Sequence, residues 1–84
     1  MKTIKYKGFT IEAETGVDPQ VDVTISKTIN GKLYYGSIGC AESEGLCNED
    51  WTHYIQVPVN VLEKAYDLEE SLLSYLSLAE QVSL

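Results

Sequence analysis

The sequence predicts an α+β fold, an antiparallel sheet of three to four strands with one long C-terminal helix packed on it. Three observations lead there. Short β-branched stretches between residues 2 and 57 alternate apolar and polar side chains. Residues 61–82 carry apolar side chains at helical spacing and contain neither proline nor glycine. Between two of the alternating stretches lies Asn30-Gly31, a pair suited to the positive φ angles of a two-residue hairpin turn. Residues 1–84 are read as one domain, with the sheet over about 2–57 and the helix over about 61–82. A chain this short buries only ~60–65% of the surface its unfolded form exposes, so its stability is expected to be marginal unless a partner adds to it.

The first strand region, Thr3–Ala13, changes phase at Gly8. Ile4 and Tyr6 fall in one parity, whereas Phe9, Ile11 and Ala13 fall in the other. This implies either a bulge or a tight Lys7-Gly8 turn between two short strands. Residues 15–20 read as a loop around Asp18-Pro19. Val21–Ile29 alternates cleanly and Lys32–Cys40 returns as its partner. A two-residue turn then sets Ile29 opposite Lys32, Ile25 opposite Gly36, Val23 opposite Ile38 and Val21 opposite Cys40. On that register Tyr34, Ile38 and Cys40 join Val21, Val23 and Ile25 on one apolar side. An acidic loop of about ten residues should follow, and then a last strand over Trp51–Val57, closed by Pro58. Trp51, His53, Ile55 and Val57 share one parity of that strand, which places His53 on its apolar face.

Asn60-Val-Leu-Glu63 resembles a capping box at the start of the helix. Val61, Leu68, Tyr75 and Val82 then recur every seven residues, interleaved by Ala65, Leu72 and Ala79. A helix of this length overhangs a small sheet. Leu73, Leu76 and Leu78 cannot all face one sheet, so they are expected to contact a second copy of the chain or another protein.

Charge is the strongest compositional signal. Thirteen acids face six lysines and no arginine, for a net charge of −7. Residues 1–32 hold five lysines and four acids, while residues 33–84 hold nine acids and only Lys64. Direct nucleic-acid binding depends on Lys and Arg at phosphates, so that class is disfavoured. No apolar run approaches a membrane span, and no signal core follows the N-terminal lysines, which points to the cytoplasm.

The segment from Cys40 to His53 is the one stretch that resembles chemistry. A zinc site would need Cys40, Cys47, His53 and one carboxylate from Glu42, Glu44, Glu49 or Asp50, but C-x6-C is not a usual ligand spacing. A Cys40–Cys47 disulfide conflicts with a reducing compartment. A Cys47 nucleophile with His53 as base lacks a nearby cation to favour the thiolate, since its neighbours are acids. No catalytic residue, cofactor or metal is expected.

The function expected is therefore a small, acidic, non-enzymatic protein-binding module. It would be an inhibitor or nucleic-acid mimic of the type phages and mobile elements encode, seated on a basic protein surface. Its acidic face would comprise Glu42, Glu44, Glu49, Asp50, Asp67 and Glu70, with Trp51, Leu73, Leu76 and Leu78 as partner or dimer contacts. The alternatives are a structural or regulatory homodimer joined through the C-terminal helix, and a small metal- or thiol-dependent enzyme.

Overall fold

Alternation of β-branched and polar residues from Lys2 onward produces a meander in the computed structural model, which describes residues 2–15 and 21–82 and side chains as far as Ser74. Six strands form one antiparallel sheet in the order of the sequence: β1 (Lys2–Tyr6), β2 (Phe9–Thr15), β3 (Val21–Ile29), β4 (Lys32–Ser37), β5 (Leu46–Asn48) and β6 (Tyr54–Ile55). A short helix, α1 (Ile38–Ser43), interrupts the order after β4, and the long helix α2 (Val59–Val82) ends it. The α+β class is as predicted, with six strands where three to four were expected. The loop expected over residues 15–20 lies, from 16 on, outside the described residues.

Two turns of the same kind organise the first four strands. Lys7 and Gly8 have φ of 51° and 84°, and Asn30 and Gly31 have φ of 51° and 78°. Positive φ at both central positions defines the hairpin turn whose twist matches that of its strands. The phase change at Gly8 is thus a turn. Across it Tyr6 pairs with Phe9 and Ile4 with Ile11, so residues of opposite parity share one face.

That face is the core. Phe9, Ile11, Ala13, Val21, Val23 and Ile25 are buried beneath α2 together with Leu46 and Val57. The helix contributes Val61, Ala65 and Leu68, buried at i, i+4 and i+7, with Leu62 and Leu72 at the margins. It starts two residues before the expected boundary. The Pro58 carbonyl accepts from the N–H groups of Val61 (3.0 Å) and Leu62 (3.2 Å), so Asn60 lies inside the first turn and is not its cap. Beyond Leu72, Leu73 is exposed. Leu76 and Leu78, with Tyr75, Ala79 and Val82 of the heptad pattern, lie outside the residues whose side chains are described.

The second half of the expected β3–β4 register does not form. Ile29 pairs with Lys32 and Ile25 with Gly36, but β4 ends at Ser37, which pairs with Thr24. Ser37 caps α1 by accepting the Cys40 N–H on its side-chain oxygen at 3.4 Å. The change from strand to helix period sends Ile38 and Ala41 toward the core and turns Cys40 outward. The exposed cysteine is therefore the first, and the buried one is Cys47. Likewise, the expected ten-residue loop is a helical turn and a strand.

Candidate functional site

On the face of the sheet turned away from α2, Tyr35 pairs with Cys47 and Cys47 with Tyr54, so three neighbouring strands place these side chains in one row. Cys47 lies in the middle of the row and is buried, while the two tyrosines are exposed. With Trp51 they wall a cleft of about 320 Å³ that Cys40, Glu44 and Gly45 also line. Thr24, Gly36 and Ser37 complete its lining.

The turn between β5 and β6 is built by Asn48, a buried polar side chain. Its Oδ1 accepts from the backbone N–H of Thr52 (2.9 Å) and of His53 (3.0 Å), and its Nδ2 donates to Thr52 Oγ1 at 3.0 Å. Its own N–H donates to the His53 carbonyl at 3.1 Å, and its carbonyl accepts from the Trp51 N–H at 3.1 Å. These bonds close a β-turn over Asn48–Trp51 and leave Trp51 left-handed, with φ of 59°. No strand accommodates that angle, which is why the expected strand over Trp51–Val57 contracts to Tyr54–Ile55. His53 is exposed and holds Thr52 Oγ1 with Nδ1 at 2.9 Å; it is not on the apolar face. Asn48 escaped the sequence reading, although asparagine followed by Glu-Asp is a recognisable turn opening.

Trp51 is 70% exposed. A left-handed conformation costs an L-residue ~1–2 kcal/mol, and glycine avoids that at an entropic cost of ~0.5–1 kcal/mol. Because so little of the ring is buried, Trp51→Gly is expected to raise stability by ~0.5–1 kcal/mol, read as a higher Tm by circular dichroism. A fall of ~1 kcal/mol or more would show that the indole buttresses the turn.

The electrostatics at the cleft are negative. Tyr54 titrates above the ordinary tyrosine value. Hydrogen bonding to the Cys47 side chain is the largest cause, followed by the Cys47 charge, desolvation and the charges of Glu44 and Cys40. The predicted acidic face is held by several elements. Glu44 caps the C-terminus of α1 and lines the cleft, whereas Glu49 and Asp50 line a separate hollow that also contains Lys32. Glu42, on α1, accepts a hydrogen bond from the Tyr66 hydroxyl of α2, which raises the Tyr66 pKa. Asp67 and Glu70 are exposed on α2, three residues apart. Glu44, Trp51 and Tyr54 meet at one cleft; Asp67, Glu70 and Leu73 do not line it.

Both cysteines are free thiols, and both line the cleft. Among the described residues, no three His, Cys, Asp or Glu side chains converge as a metal-holding group. Nor is any helix among them long and apolar enough to cross a membrane.

The class these features define is a six-stranded meander closed by one helix, with an acid-flanked aromatic cleft on its open face. No family model, curated protein or solved structure matches the chain.

Proposed function

We propose that the protein is a non-enzymatic binding module that occupies a basic surface of a target protein, as an inhibitor or nucleic-acid mimic does. The observation that supports this reading most directly is Trp51. A large aromatic side chain is held in solvent, in a backbone conformation that disfavours it, next to Asp50 and at the mouth of a cleft that contains Glu44. Exposed tryptophan and tyrosine are typical anchors of protein interfaces. The net charge of −7 adds long-range attraction for a cationic partner and repels phosphate.

The test is capture of partners by the full chain at low salt, followed by binding measurements on each purified partner. Association with a basic surface should slow by about tenfold or more as salt rises from ~0.05 to ~0.5 M, because screening shortens the reach of the charges. A partner whose association is indifferent to salt would refute the reading.

Leu73 favours a second reading, a homodimer through α2. It is 40% exposed, and it follows Leu68, the last buried residue described on a helix of 24 residues. Light scattering would support this reading if it found a dimer that resists dilution and that Leu73→Glu dissociates. A monomer at high concentration would exclude it.

A further inference from the structure

We infer that the cleft between Tyr35, Trp51 and Tyr54 receives the guanidinium of an arginine side chain presented by a protein partner. The inference rests on the binding-module reading and specifies the contact at its centre.

The cleft combines two kinds of surface that one ligand group must satisfy together. Three exposed aromatic residues, Tyr35, Trp51 and Tyr54, share its lining with one carboxylate residue, Glu44. A cation over an aromatic face is attracted by the ring quadrupole, most strongly at tryptophan. The chain has no arginine to place there. Among the described residues three of its six lysines lie over other rings, with Lys7 and Lys64 5.7 Å from the centre of Tyr6 and Lys27 4.5 Å from that of Phe9. Tyr35, Trp51 and Tyr54 are left for a cation from outside.

The donor count selects guanidinium over other occupants. An apolar side chain would desolvate Glu44 with no compensating bond. A quaternary ammonium could stack on the rings, but it has no N–H for Glu44, which also lines the cleft. A lysine ammonium has donors but is compact, strongly hydrated and unable to stack as a plane. Guanidinium is flat and weakly hydrated, and it has five donors, two of which match one carboxylate.

Trp51 is the only tryptophan, so its emission reports on this cleft alone. The experiment titrates the full chain with an acetylated, amidated Gly-Arg-Gly peptide, and with its lysine and citrulline counterparts, following Trp51 emission and backbone amide shifts. The arginine peptide should change the emission saturably and bind about fivefold or more tightly than either counterpart. Glu44→Gln and Tyr54→Leu should each weaken it by about fivefold or more, whereas Asp67→Asn should not. Amide spectra of each variant confirm that it is folded. Equal binding of the citrulline peptide overturns the inference, because charge is then not recognised. So does arginine binding that shifts amides around Asp67 and Glu70 while Trp51 emission stays constant. In that case, or if no peptide binds although a salt-sensitive basic partner has been captured, the cleft assignment fails and the binding-module reading survives. If no such partner exists, that reading fails independently of any peptide result.

Discussion

Gly45→Ala is expected to open the β5–β6 ribbon and remove a large part of the stability of the protein. Gly45 has φ of 105°, a conformation that L side chains rarely adopt. A Cβ there would lie 2.3 Å from the Ile55 carbonyl oxygen and 3.1 Å from its carbon. Both are backbone atoms, fixed by the pairing of Leu46 with Ile55, so no side-chain rotation can make room. Backbone strain of ~1–3 kcal/mol combines with this overlap to give a loss of at least ~3 kcal/mol. A domain of this length has only ~4–12 kcal/mol in total. Urea denaturation followed by far-ultraviolet circular dichroism would measure the change. The comparison is Gly39→Ala in α1, where a new Cβ meets nothing within 4 Å, and which should be neutral or slightly stabilising. Equal midpoints for the two variants would refute this account of Gly45.

Asn48→Ala is expected to lower stability by ~2–4 kcal/mol. The substitution removes the acceptor shared by the Thr52 and His53 N–H groups and the donor to Thr52 Oγ1. Leaving partly buried polar groups unpaired costs ~1–3 kcal/mol apiece, and solvent reaches some of them. Asn48→Asp keeps the acceptor and loses the donor, so it should cost about half as much. Since Asn48 also sets the turn that presents Trp51, the alanine variant should change Trp51 emission before the bulk of the protein unfolds. Identical stability of the three proteins would mean that the turn is held by other contacts.

The parts of the fold legible in the sequence are those where two independent signals agree. At Asn30-Gly31, turn chemistry and hydrophobic alternation give the same register, and Ile25 pairs with Gly36 as expected. In the long helix, the spacing of Val61, Ala65 and Leu68 marks the buried stripe. Residues 38–55 were not legible, for physical reasons. The apolar series Tyr34, Ile38 and Cys40 looks continuous in a strand, but Ser37 ends the strand and begins a helix within it. Strands of three and two residues, β5 and β6, are too short to show a period. The left-handed Trp51 sits in a turn closed by the Asn48 carbonyl and held by bonds from the Asn48 side chain to Thr52 and His53, so its own residue type does not encode it. The candidate site was half visible. Charge and aromatic character mark Glu44 and Trp51 in the sequence, but Tyr35 and Tyr54 join them only through pairing of β4, β5 and β6. The acids of α2 were grouped with them on charge alone.

The meander has a kinetic consequence. Each strand hydrogen-bonds only to strands adjacent in sequence, so the sheet needs little long-range loop closure. Low contact order of this kind favours rapid folding. The exception is α2, which follows the sheet in the chain yet covers Phe9, Ile11, Val23 and Ile25. During synthesis those four side chains stay uncovered until the ribosome has released the helix, and that interval is when a nascent chain is most open to chaperones and to self-association.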